Sequence, residues 1–199
     1  MPMIRETIVT TVNPHGQAHL APIGLIAEGE GWIIAPFRPS VTLDNLLALP
    51  YAVANYTDDV RIFAGCLTGR GDWPTVASER VPVPRLAAAL AHAELAVTDV
   101  EEDDQRPRFH CRVVHRAMHA PFEGLNRAKA AVIEAAILVS RLHLLPREKV
   151  EREIGYLRSA IVKTAGPQEQ EAWEWLMRAI ETTYAAEGEA VLSPRESRR

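Results

Sequence analysis

The period of the apolar residues changes once along this chain of 199 residues, and that change limits the fold more than any single motif. As far as His115 the apolar residues come in short runs, many of them β-branched, each closed by Gly, Pro, Asn or Asp. Strands that bury one face produce that pattern. ETIVTTV (Glu6–Val12) ends at Asn13, Pro14 and Gly16, and HLAPIGLIA (His19–Ala27) meets GWIIA (Gly31–Ala35) through EGEG, two glycines suited to the positive φ of a hairpin. YAVANY (Tyr51–Tyr56) and IFAGCL (Ile62–Leu67) read as the next strands, and Glu94–Val100 with Arg108–His115 as a hairpin around the acidic run Glu101–Asp104. Val41–Ala48 spaces its leucines helically and stops at Pro50, and Pro84–Ala93 reads as another short helix.

Beyond Ala120 the spacing becomes helical throughout. Asn126, a suitable N-cap, opens a stripe at positions 128, 131, 132, 135, 138, 139 and 142. Pro146 starts a second helix with Val150, Ile154, Leu157 and Ile161 on one face, and Gly166 stops it. A third begins near Pro167 with Ala172, Trp173, Leu176, Met177, Ile180 and Tyr184 on one face, and a polar tail expected to fray follows Glu187. The fold class is therefore α+β: an antiparallel barrel over residues 1–120, then a three-helix unit over residues 121–199.

Composition narrows the function by exclusion. A formal net charge of -4 and a pI near 6.0 leave no basic footprint, so neither nucleic acid nor a membrane surface is an expected partner. No run approaches the roughly 18 apolar residues of a spanning helix, and the start of the chain has no signal-like apolar core, so the expectation is a cytoplasmic protein. Cys66 and Cys111 suggest reduced thiols. His110, Cys111, His115 and His119 resemble a metal set on paper, but Cys111 and His115 on one regular strand stand about 13 Å apart at about 3.3 Å per residue, so no metal is expected. There is no nucleophile elbow and no dinucleotide glycine pattern after a strand. Trp73, in the loop GRGDWPT, reads as a loop or interface anchor before it reads as a lid over a ligand.

FRPSVTLDNL (Phe37–Leu46) gathers Arg38, Ser40, Thr42 and Asn45 at the mouth of the first helix. One reading is plain: Ser40 caps the helix and Arg38 faces solvent. The other is an anion cradle, with hydroxyls, first-turn amides and a guanidinium converging on a phosphate.

The order AHLAPIG, strand, FRPSVTLDNL and VANYTDD resembles the FMN-binding split barrel superfamily of flavin reductases and pyridoxamine phosphate oxidases. With GLNRAKAAVIEAAILVSRL (Gly124–Leu142) added, the chain is similar to the DUF447 family within that fold from Arg5 to Tyr184. The resemblance implies FMN as cofactor, with Arg38, Ser40, Thr42 and Asn45 on its phosphate and ribityl chain. It places Ala21, Pro22 and Ile23 along the isoalloxazine ring, and Asn55 and Thr57 at the ring edge. It further implies a homodimer with the flavin site at the subunit interface, hydride or electron transfer with NADH or NADPH as candidate donor, and a pterin-related substrate of C1 metabolism as one option. Flavin reductases often carry a Lys in the phosphate loop; here Arg38 is the one clear cation. The alternatives are a binding module that holds FMN or another phosphorylated ligand without turnover, and a dimeric interaction protein. No residue stands out as a catalytic acid or base.

Overall fold

The computed structural model describes residues 2–192, with side chains through residue 186. Its elements are β1 (Ile4–Val12), β2 (Ala18–Glu28), β3 (Gly31–Ile34), α1 (Val41–Ala48), β4 (Tyr51–Tyr56), α2 (Val60–Leu67), β5 (Thr75–Val76), β6 (Arg85–Leu86), β7 (Ala91–Glu101), β8 (Arg108–Met118), α3 (Arg127–Val139), α4 (Arg147–Thr164) and α5 (Pro167–Leu192). Six antiparallel strands close a barrel in the order β1-β2-β3-β8-β7-β4, and β5 and β6 form a separate ribbon. Val9, Leu25, Ile34, Ala54, Leu95 and Phe109 fill the interior.

The β2–β3 hairpin turns at Gly29 and Glu30, with Gly29 at φ +56°. The second glycine of EGEG does something else: a Cβ on Gly31 would collide with the Cys111 carbonyl, so a bare Cα is what lets β8 close on β3. β3 pairs with β2 only from Ile26 to Glu28. Among the described residues the edge of β2 from Ala18 to Leu25 opposite β1 therefore has no strand partner, and Pro22 sits on that edge, where a missing N–H costs no ladder bond.

Two expectations fail. Ile62–Leu67 is not a strand but most of α2, started by Asp59, whose carboxylate accepts from the Arg61 N–H at 3.1 Å. The helix is apolar on opposite sides: Ile62 and Phe63 pack on Ile8 and Leu20 of the barrel, while Val60 and Ala64 join the core of the C-terminal helices. An element buried on both faces reads as a continuous apolar run, which looks the same in strand or helix. Pro84–Ala93 is likewise no helix. Leu86 donates its N–H to Asn55 Oδ1 at 2.7 Å, Leu90 donates to the Tyr56 carbonyl at 2.8 Å, and Ala91 already pairs with Tyr56 as β7 begins. Tertiary hydrogen bonds override the helix preference of the alanines there.

The helical third follows its stripes. Asn126 Oδ1 accepts from the Ala128 N–H at 2.7 Å, and Asn126 Nδ2 donates to the Thr164 carbonyl at 3.0 Å, tying the start of α3 to the end of α4. Ala128, Val132, Ala135, Val150, Ile161, Ala172 and Leu176 are buried together. Helix backbone continues in α5 to Leu192, and the tail expected to fray lies otherwise outside the described residues. No described helix is long and apolar enough to cross a membrane.

Candidate functional site

The unpaired edge of β2 opens into a groove of about 350 Å³. Its floor is Ala21, Pro22, Ile23 and Gly24, one end is Ser40 and Thr42 at the start of α1, and the facing wall is α3 with Ile133 and Ile137 and the turn that follows it with Ser140 and Arg141. The size falls within that of small-ligand and cofactor sites. Small or non-donating residues on the floor leave a flat apolar strip. A Cβ on Gly24 would lie 2.8 Å from Ile4 Cγ2, so the strip stays flat only with glycine there.

At the α1 end Ser40 is the helix cap that the plain reading expects. Its Oγ accepts from the Leu43 N–H at 3.3 Å as an N-cap, and the residue still lines the groove. The first-turn amides of an α-helix have no intrahelical acceptor, which makes this end a place for an anion.

Of the residues expected at a flavin, Ala21, Pro22, Ile23, Ser40 and Thr42 line the groove. The other four have different surroundings. Arg38 turns to the acidic run: its Nη2 donates to Glu102 at 2.8 Å and its Nε to the Asp103 carbonyl at 3.4 Å. Asn45 is buried and donates to Thr11 Oγ1 at 3.0 Å. Asn55 is wholly buried; Nδ2 donates to the Ile8 and Val53 carbonyls and Thr10 Oγ1, and Oδ1 accepts from Leu86, so it braces β1, β4 and β6. Thr57 Oγ1 accepts from the Asp59 N–H at 3.2 Å, beside the start of α2.

The cations of the groove are ones the motif reading missed. Arg106, just past the acidic run, donates from Nη2 to the Ala35 carbonyl at 2.9 Å and lies over the Phe37 ring at 4.4 Å, and it lines the groove with Arg141. Ile133 and Ile137 fall off the main stripe of α3 and form a second apolar line leading to Arg141, which is the signal that could have found this wall. Glu6 is the titratable acid in the lining: burial and then the Glu134 carboxylate push its carboxyl up, against a smaller downward pull from Arg141. Trp73 lies outside the lining. It packs against α2, where a Cβ on Gly65 would come within 2.7 Å of its Cζ2.

Family comparison decides the affiliation. Residues 5–120 match the model for the N-terminal domain of the protein of unknown function DUF447, and residues 126–178 match the DUF447 model for the following part. This chain belongs to the DUF447 family. Among solved structures it is similar to an FMN-bound DUF447 protein of Methanosarcina mazei, at 22% identity and a TM-score of 0.78, covering 90% of this chain and 96% of that one. It is also similar to component B of a nitrilotriacetate monooxygenase from Mycobacterium thermoresistibile, at 17% identity and a TM-score of 0.51, covering 59% and 70%. A third similar structure is the 2-nitrobenzoate 2-nitroreductase of Pseudomonas fluorescens, at 21% identity and a TM-score of 0.50, covering 60% and 66%. No curated protein matches the sequence. The DUF447 chain thus has the split-barrel fold followed by C-terminal helices.

Proposed function

We propose that this DUF447 protein is an FMN-binding flavoprotein, with the groove beside β2 as its flavin site. One observation carries the reading: a flat apolar strip, Ala21 to Gly24, runs along an unpaired strand edge to a helix N-terminus that carries Ser40 and Thr42 and has Arg106 beside it. Those are the two chemistries that a planar ring joined to a phosphate calls for. The FMN bound by the Methanosarcina mazei relative supports the choice of ligand.

When bound, the flavin supplies hydride or electron transfer. The chain's part is to hold and shield it. Ser40, Thr42 and the first amides of α1 receive the phosphate, with Arg106 and Arg141 countering its charge. Arg38 is taken up by the acidic run, through Glu102 and the Asp103 carbonyl, and so is not the cation assigned to the phosphate. Ile133 and Ile137 exclude water from the α3 side. Glu6, with its raised carboxyl affinity for a proton, is the group in the lining able to hold one. Ile4, Phe37, Val41 and Leu47 are exposed apolar residues on the groove lip and α1, which suits a second copy closing the site as a homodimer.

Titration with FMN, with riboflavin as the ligand lacking phosphate, tests the reading. Each charge-assisted contact to a phosphate is worth about 1.5–3 kcal/mol, so Arg106→Ala and Thr42→Ala are expected to weaken FMN binding about tenfold or more and riboflavin binding little. A protein that purifies colourless and takes up no FMN would sink the proposal. Anaerobic mixing of the flavin-loaded protein with NADH or NADPH then separates a reductase from a carrier: bleaching marks the first, an unchanged spectrum under both the second.

A further inference from the structure

Cys111 and His115, too far apart on one strand to share an ion, do not meet, but an irregularity in that strand sets His115 beside two residues of β7. In the β7–β8 ladder Leu95 pairs with Val113 but Glu94 pairs with His115, so Val114 is an extra residue. Such a bulge re-aims the side chains beyond it. Cys111 faces the barrel interior, whereas His115 stands on the outer face beside Glu94 and His92, which alternate along β7. Ligand atoms of His92, Glu94 and His115 all lie within 4.8 Å of one another.

The finer distances have a pattern. His92 Nε2 is 3.3 Å from Glu94 Oε1, and His115 Nε2 is 3.3 Å from Glu79 Oε1. Two donors bound to one tetrahedral zinc at about 2.0–2.1 Å stand about 3.3 Å apart. His115 Nε2 is buried yet makes no hydrogen bond, Glu79 being near but out of line. His92 Nδ1 lies 2.9 Å from His119 Nε2, the outer contact that fixes a ligating imidazole's orientation.

We propose that His92, His115 and Glu94 form a binding site for a divalent transition ion of the zinc class, with the exposed Glu79 carboxylate, 3.3 Å from His115 Nε2, turning in as the fourth donor and His119 as the positioning residue behind His92. Two carboxylates and two neutral imidazoles balance a dication, and imidazole donors select zinc-like ions over magnesium or calcium. In this arrangement His92 donates Nδ1–H to His119 and presents the Nε2 lone pair to the ion. Glu94 Oε1 keeps its bond from the Glu79 N–H, and Oε2 those from Arg80 and Val81, so the ion adds a staple between that loop and the barrel wall. With Glu79 turned in, protein donors take all four tetrahedral positions, which makes the site of the structural type. None of its residues lines the flavin groove.

Chelator-treated full-length protein, with and without FMN, is titrated with Co2+ as an optical probe and with Zn2+ in competition. The expected result is one ion per chain with the visible bands of tetrahedral Co2+, displaced by Zn2+, and a raised thermal midpoint with Zn2+. His115→Gln and Glu79→Gln alter partly exposed side chains and should each weaken binding at least tenfold. His119→Ala should weaken it roughly 10–100-fold, and His110→Gln, elsewhere on β8, should leave it unchanged. Failure to bind one ion per chain at excess metal, or equal binding by wild type and His115→Gln, would overturn the proposal.

Discussion

Cys66 and Cys111 are the residues whose chemistry the fold most suppresses. Burial pushes the Cys111 thiol up to about 12 and the Cys66 thiol up to about 11, so neither offers thiolate at neutral pH. Alkylation by iodoacetamide should label neither in the native protein and both once denaturant is added; rapid native labelling of Cys111 would contradict its place in the barrel interior. His110 shows the opposite behaviour, since its hydrogen bond to Glu28 at 2.6 Å raises its proton affinity. A raised histidine stabilises the folded state fully below its ordinary value of about 6.5 and loses that contribution as pH rises through the raised value. Glu28 is half exposed, so the gain stays below about 1 kcal/mol. The thermal midpoint of Glu28→Gln should therefore fall below wild type near pH 6 and converge with it at about pH 9; a deficit that grows with pH would refute the pairing.

Between single residues and the barrel stand the elements, and here Asn55 carries more than β4. Its amide joins three segments by bonds that water cannot replace, so Asn55→Leu should cost several kcal/mol, on the order of 1–3 for each buried backbone group left unpaired. Urea unfolding checks this, and a loss under about 1 kcal/mol would mean the brace is dispensable. The same scale shows what was legible beforehand. α1 and the three C-terminal helices follow from period, caps and breakers such as Pro50 and Gly166, because each buries one stripe; β4, buried on both faces, is legible from its short length between Pro50 and the polar break at Thr57 to Asp59. α2 is buried on two sides and so has no period to read; the stretch from β6 to the start of β7 is fixed by Asn55, which accepts from Leu86, and Tyr56, which accepts from Leu90, partners more than thirty residues away in sequence. The groove was half legible for the same reason. Ala21 to Ile23, Ser40 and Thr42 are local, whereas Arg106 and Arg141 enter only once the β7–β8 turn and α3 have been placed in space.

For the molecule as a whole, α2 decides whether the helical third can be separated from the barrel. Val60 and Ala64 lie in the core of α3 to α5, Lys129 of α3 pairs with Asp58, and Arg61 reaches Glu171 of α5 at 3.7 Å. A chain ending at Ala120 is therefore expected to expose an apolar patch on α2, to aggregate or bind a hydrophobic dye, and to lose FMN uptake with the α3 wall. A monodisperse, FMN-binding fragment would disprove this account of the groove. Phe63 and Leu67 of the same helix also line that groove, between the strand that floors it and the helix that roofs it. Any ligand seated there touches residues contributed by both ends of the chain at once, so its release rate works as a gauge of how firmly the two ends are joined, and substitutions deep in the helical core should be felt as faster release without altering a single atom in contact with the ligand.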